Sequence, residues 1–448
     1  MNYLSSGRTS MLFHRLPLKS LSYFHKAPIR FMAQVAHCHG DIAGFQCLNQ
    51  RLWVIRQPDL ADALVKHSCF AKSSLVFKQL IPITGRQGLV QLDDNDWKHR
   101  VPAIKPQFSI QGLNESLPLI TANIDNVMQQ CDQGLIDIHP IIMKLTMGNI
   151  LALMGIEGVT DVSPIINDML VLNQYCGQRM RQLLRLPLFL PLPSHRLIHK
   201  KASDLRSKLD LLVQTAKVRT GSPLHQLQLH WPRRECIDHL STFLFAGFET
   251  TASSITTALH YLASNPEWQQ AIYDESSDSA QLSVQSMRQW SWTQALYCET
   301  LRLYPPAYML VRQPTVDVSL YHLNFRSNDL VILNVHGMQR HKKYWPNPKL
   351  FDIRRHLNRS PFANKAFMPF GLGKRICTGH QLAMTESMLI LSAMCRRFRL
   401  STPSSIKVSF RQGCVKNIFK FYHLGVDSVL GHFFKISMHF CLIYNLPI

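Results

Sequence analysis

The segment Phe367-Met-Pro-Phe-Gly-Leu-Gly-Lys-Arg-Ile-Cys-Thr-Gly379 decides how this chain is read. Gly371 and Gly373 permit a tight loop with backbone angles closed to other residues, and Cys377 comes just before the helical run Gln381 to Arg397. Amide dipoles at a helix start favour a thiolate, so Cys377 is a candidate metal ligand or nucleophile. Other glycine loops do not fit. A dinucleotide loop, G-x-G-x-x-G, needs glycine where Ile376 stands, and a P-loop needs Ser or Thr where Arg375 stands. Zinc would need more thiolates or imidazoles nearby than His380. A buried, inert cysteine after a Gly-rich turn is the plain alternative.

Upstream of the loop, a long apolar helix is expected from Glu235 to Ser264, ended by Asn265-Pro266. At its middle stands Ala246-Gly-Phe-Glu-Thr-Thr251, and positions 243, 246, 247, 250 and 254 share one face. Glycine and threonine lower helix propensity, so either close packing or a local chemical purpose placed them there. Next comes Glu299-Thr-Leu-Arg302, an acid and a base three apart on one helix face. With 8 Glu and 28 Arg in 448 residues, about half a chance E-x-x-R is expected, so only its order relative to the other motifs is informative.

Taken together, these segments resemble the cytochrome P450 family. Phe370, Gly373, Cys377 and Gly379 meet F-x-x-G-x-x-x-C-x-G, the loop that presents the axial thiolate to haem iron in that family. The resemblance covers about residues 20 to 400 and implies the P450 fold, mainly α with minor β: a triangular helical domain with a long central helix over the haem and small β-sheets. It implies haem b, iron protoporphyrin IX, as cofactor and Cys377 as metal ligand. Ala246 and Gly247 would leave space for the cofactor, and Thr250 and Glu249 would organise proton delivery during oxygen activation. Glu299, Arg302 and Arg355, the last in Trp345-Pro-Asn-Pro-Lys-Leu-Phe351-Asp-Ile-Arg-Arg355-His, would form a buried ionic network supporting the loop. Arg375, Arg312 and Trp97 match positions that bind the haem propionates. The family's W-x-x-x-R pattern is broken, because Val101 stands four after Trp97 and leaves Arg100 or His99 as the substitute.

Composition bounds the rest. Apolar residues make up 46 % and charged ones 17 %, and no run of 18 uncharged apolar residues occurs, so a globular chain without a spanning helix is expected. Helical periodicity around Asp137 to Met154 and Leu205 to Val218, against short strand-like runs at Arg51 to Ile55 and Asp329 to Val335, independently gives a mainly α class. One domain over 1–408 with a divergent tail over 409–448 is the simplest partition. Eleven cysteines, an odd number, without a secretory leader point to reduced thiols and a cytoplasmic protein. From Arg179 to Lys201 six basic and no acidic residues flank the Pro-broken apolar run Leu186 to Pro193, either a solvated loop or a mobile lip touching a membrane surface or admitting substrate.

The net charge of +21 favours anionic partners. Nucleic acid is not among those expected, since the helices lack aromatic-basic alternation. By resemblance the reaction inserts one oxygen atom from dioxygen into an apolar small molecule: a fatty acid, terpenoid or sterol-like compound. Electrons would come from a separate NAD(P)H-fed ferredoxin or flavoprotein reductase. Lys98, Lys105, Lys374, Arg375, Arg396, Arg397 and Arg399 form a basic face for an acidic donor. A peroxygenase or isomerase, and a haem-binding protein of impaired activity, are the alternatives. A monomer with at most peripheral membrane contact is expected.

Overall fold

The computed structural model describes residues 13–423 except 16–17, 48, 132–133, 183–184, 278–281, 358, 402–409, 412–413 and 416–417. The principal helices are α1 (Pro28–His39), α2 (Pro58–Lys66), α3 (Asp94–Arg100), α4 (Ile110–Gln129), α5 (Ile138–Met154), α6 (Ser163–Met180), α7 (Pro193–Thr215), α8 (Arg233–Ala263), α9 (Ser291–Leu303) and α10 (His380–Arg397). Their starts follow local chemistry. Asp93 accepts from the amides of Asn95 and Asp96 at α3, Ser109 from Gly112 at α4, and Asp137 from His139 at α5. Each cap occupies donors that no helical carbonyl reaches. The helix expected over 205–218 begins earlier, at Pro193, and ends at Thr215; Lys217–Val218 instead pairs with Ile156–Glu157 as a short strand.

The strands that frame the site are β1 (His14–Arg15), β2 (Ile42–Cys47), β3 (Gln50–Ile55), β4 (Phe70–Lys72), β5 (Gly134–Asp137), β6 (Leu310–Pro314), β7 (Leu330–Leu333), β8 (Phe398–Ser401) and β9 (Ile418–His423). A six-stranded sheet runs β1-β2-β3-β7-β6-β4, and its register sets Lys72 opposite Arg312. In a second sheet β9 pairs antiparallel with both β8 and β5. Phe410–Arg411 and Cys414–Val415 form a hairpin that the sequence alone does not reveal. The apolar tail after residue 423 lies outside the described residues.

The chain is thus mainly helical with small sheets, as its periodicity suggests. α8 runs through the core, and Leu244, Phe248, Ile255 and Leu259 are buried among Leu145, Leu296 and Leu391. Its approach to α5 is close: a Cβ on Gly247 would fall 2.5 Å from Ile150 Cδ1, so any larger residue would require the Ile150 side chain to shift. Thr146 of α5 donates to the Phe248 carbonyl at 3.0 Å across the same contact. A smaller core of Trp53, Leu64, Phe70 and Leu333 lies under the main sheet. No described helix is long and apolar enough to cross a membrane.

Candidate active site

The cysteine loop is built by its glycines. Gly371 and Gly373 have φ of 75° and 70°, and a Cβ on Gly373 would meet the Val65 carbonyl at 2.9 Å, so only glycine fits there. The Cys377 amide donates to the Phe370 carbonyl at 2.9 Å and closes the loop; the His380 amide then donates to Cys377 O and α10 begins. The Cys377 side chain is exposed, yet surrounding protein desolvates the thiol and pushes its pKa up, against a hydrogen bond from the Gly379 amide. Both hold for a side chain bordering an internal space rather than bulk water. The helix start therefore does not yield a thiolate by itself; a bound cation must displace the proton. Gly379 has φ of −87°, and a Cβ there would only touch Phe108 at 3.8 Å.

Across from the loop, Ala246 and Thr250 are exposed one turn apart on α8, between buried Phe243, Phe248 and Thr251. Phe108 bridges the two walls, stacking on Phe243 with centroids 5.5 Å apart while lying against Gly379. The Thr250 hydroxyl donates to Ala246 O at 2.7 Å, which leaves its lone pairs facing the space. Glu249, about 100° further round the helix, points elsewhere: its carboxyl accepts from the Asn173 side-chain amide of α6. Burial raises the Glu249 pKa to about 7, and the Asn173 hydrogen bond restrains that rise. The shared face expected at 243, 246, 247, 250 and 254 is narrower than its spacing suggests. Phe243 and Ser254 are buried, Ser254 bonding Tyr297 Oη at 2.9 Å, and Gly247 lies close to Ile150 of α5.

A cluster of cations borders the same loop. Arg375 pairs with Asp94 at 2.7 Å, donates to Leu92 O at 3.0 Å and lies over the Trp97 ring at 4.7 Å. Buried Arg312 of β6 faces Lys72 of β4, whose ammonium donates to the carbonyls of Val90 and Leu92. Desolvation, then Arg375 and Arg312, lower the Lys72 pKa to about 7, with Asp94 and Asp93 opposing. Three cations against two carboxylates, one of them ion-paired to Arg375, is an arrangement that further anions stabilise. Lys72 was invisible in the sequence because only the β4–β6 register brings it to Arg312. Arg100 pairs with Glu235 at 3.0 Å and Asp96 at 3.7 Å, and His99 is exposed.

The ionic network beneath the loop is complete. Fully buried Glu299 accepts from Arg302 Nε and Nη2, both at 2.7 Å, from Arg355 Nε at 3.0 Å and from the Asp352 amide at 2.9 Å. Burial alone would raise the Glu299 pKa; hydrogen bonds from Arg302 and His356 overcome it and hold the carboxylate below its ordinary range. His356, 2.8 Å from Glu299 Oε2, is a fourth member that the sequence did not disclose. Gln339 is the link to the site: its amide nitrogen donates to the Leu301 and Arg302 carbonyls, and its oxygen accepts from the Met368 amide at the head of the cysteine loop.

A cavity of about 420 Å³ runs along the loop past Phe362, Phe370, Ile376 and Met384, but Cys377 does not line it. Among the described residues, no group of three or more His, Cys, Asp or Glu could hold a metal. The chemistry of the donor set suits a metal-bearing, dianionic cofactor: an accessible thiol that could take its metal, and the cations Lys72, Arg312 and Arg375 that could take its carboxylates.

A family model described as Cytochrome P450 matches residues 9–423. The chain is 23 % identical over 417 residues to Cyclooctat-9-en-7-ol 5-monooxygenase of Streptomyces melanosporofaciens, with 88 % of each chain covered. It is 24 % identical over 399 residues to Putative cytochrome P450 132 of Mycobacterium tuberculosis, covering 80 % of this chain and 84 % of that one. To Taurochenodeoxycholic 6 alpha-hydroxylase of Sus scrofa it is 33 % identical over 196 residues, 42 % of this chain and 39 % of the relative.

Proposed function

Because the chain belongs to the cytochrome P450 family, with haem b as cofactor and monooxygenation as its reaction class, we propose that it inserts one oxygen atom from dioxygen into an apolar small molecule, with Cys377 as axial ligand. The observation that carries this assignment is the accessible Cys377 thiol, set across Phe108 from Ala246 and Thr250 and beside the Lys72, Arg312 and Arg375 cluster. When bound, thiolate-ligated haem supplies oxygen activation, the sulfur's electron density favouring O–O cleavage. The chain's own residues divide the remaining work. Lys72, Arg312, Arg375 and Trp97 would hold the two propionates. Thr250 would offer its hydroxyl to the oxygen chemistry. Glu249, poised at about 7, holds a proton it can release at neutral pH.

Two relatives are named as a cyclooctat-9-en-7-ol monooxygenase and a taurochenodeoxycholic hydroxylase, which suits oxygen insertion into a fatty acid, terpenoid or sterol-like molecule. Electrons come from a separate ferredoxin or flavoprotein reductase fed by NAD(P)H. Of the basic face expected for this donor, Arg375 belongs to the cation cluster beside the cysteine loop, where it also pairs with Asp94, and Arg397 pairs with Asp125, while Lys98, Lys105, Lys374 and Arg396 are exposed for an acidic partner. Peripheral contact with an anionic membrane is supported at the 181–192 connection, where Phe189 is 82 % and Leu186 60 % exposed beside exposed Arg196 and Lys200.

Turnover under ¹⁸O₂ with a surrogate ferredoxin and reductase tests the reaction class. Label in the hydroxylated product is the expected result, and turnover driven only by added peroxide would contradict it.

A further inference from the structure

Among the described residues Glu249 has no charged partner, and the hydrogen bond it accepts comes from Asn173 on the helix leading to the 181–192 connection. That helix does not stand alone. Buried Asp168 of α6 is ion-paired to both Lys201 and Lys208 of α7, binding the two helices together. The connection between them is tied to the same unit: Arg179 donates to the Leu186 carbonyl at 3.0 Å, His195 Nδ1 lies 3.0 Å from Leu190 O, and His199 Nε2 lies 3.1 Å from Leu188 O. A side chain anchored to α6 therefore follows α6, the connection and α7 as one piece.

Resting on the assignment of Glu249 as proton donor, we propose that Asn173 is a positioning residue: its amide fixes the Glu249 carboxyl to α6 and keeps it in a state from which the proton can leave. The physical reason is an opposition of two effects. Burial favours the neutral carboxyl, whereas a donated hydrogen bond favours the carboxylate. Without the amide, burial acts unopposed and the carboxyl keeps its proton at neutral pH. Other titratable or charged groups do not take over. Those that reach α8 from its neighbours meet it elsewhere: His139 of α5 at Thr256, Tyr297 of α9 at Ser254, and Arg206 of α7 at Asp238. Glu386 of α10 bonds Asn149 of α5 instead. The side chains of α5 nearest to residues 247 and 248, Ile150 and Thr146, are uncharged. Among the described residues, none of these charges contributes to the Glu249 proton affinity.

The test is an infrared titration of the protonated Glu249 carboxyl in resting, haem-loaded protein, with the band assigned by its loss in Glu249→Gln. Asn173→Leu, which keeps the volume but removes the donor, should move the midpoint up from about 7 by roughly one pH unit and shift the carbonyl band. Asn173→Gln, which restores an amide, should return it towards the wild-type value. An unchanged midpoint and band in Asn173→Leu, with the protein folded by circular dichroism and retaining haem, would overturn the proposal. Oxygen-to-peroxide partition in Glu249→Gln is scored separately. If it equals wild type, Glu249 is not the proton donor, and the infrared result still decides whether Asn173 holds it.

Discussion

Thr250 and Glu249 adjoin in sequence but serve different walls, one turned to the cofactor space and the other to α6. Their removal should have separable effects. Thr250→Ala is expected to retain haem while diverting electrons from NAD(P)H into hydrogen peroxide, read as peroxide formed per oxygen consumed. Glu249 gives a pH dependence of definite sign: its folded pKa is raised to about 7, so the donating, protonated form is full below that value and is lost as pH rises through it. Product formed per oxygen consumed should fall above pH 7 in wild type and be flat in Glu249→Gln. Lys72 is the other residue with a sharp expectation. Lys72→Met should weaken haem binding by roughly 1.5–3 kcal/mol, the worth of a hydrogen bond to a charged group, measurable as faster haem transfer to apomyoglobin. Legibility at this scale was set by distance along the chain. Cys377 and its glycines, or Thr250 beside Glu249, are local patterns, whereas Lys72 meets Arg312 only through strand register and the Arg100 ion pair joins it to Glu235 far downstream.

Among elements, α9 carries Glu299 and Arg302, the centre of the buried ionic network that Gln339 links to the cysteine loop. Arg302 has no exposed surface, so Glu299→Ala leaves a cation stranded and should destabilise the fold by about 3–5 kcal/mol, seen as loss of folded, haem-binding protein. Arg355, 13 % exposed and one of several donors to Glu299, should matter less than Arg302 in the same measurement. Glu386 of α10 offers a stability test with its own sign. Burial raises its pKa from 4.5 to about 8, so the native state holds a proton that the unfolded chain has lost between those values, and stability falls as pH rises through that window. Glu386→Gln, keeping an amide for Asn149, should flatten the dependence of the melting temperature on pH over the same range. The helices themselves were readable from periodicity and breakers, with α8 within two residues of its expected limits at each end. His356 and Gln339 were not, because nothing in a linear motif indicates that a side chain two elements away will bond the Arg302 backbone or the loop at Met368.

For the whole molecule, the +21 charge is not a uniform coat. Arg302, Arg312, Arg179 and Arg355 are wholly or largely spent inside, on Glu299 and on backbone carbonyls, and only part of the excess remains on the surface. The architecture was legible because a few widely spaced motifs occur in family order; the closing sheet was not, since β9 carries no motif and is placed by pairing with β5 and β8. All of this organisation converges on one bond. The most direct measurement is the carbon-monoxide difference spectrum of the reduced, haem-loaded protein, in wild type, Cys377→Ala and Cys38→Ala, the last altering an exposed thiol outside the proposed site. Wild type and Cys38→Ala should give the red-shifted Soret band of thiolate ligation, and Cys377→Ala should lose it. A Cys377→Ala protein that keeps that band would contradict the account.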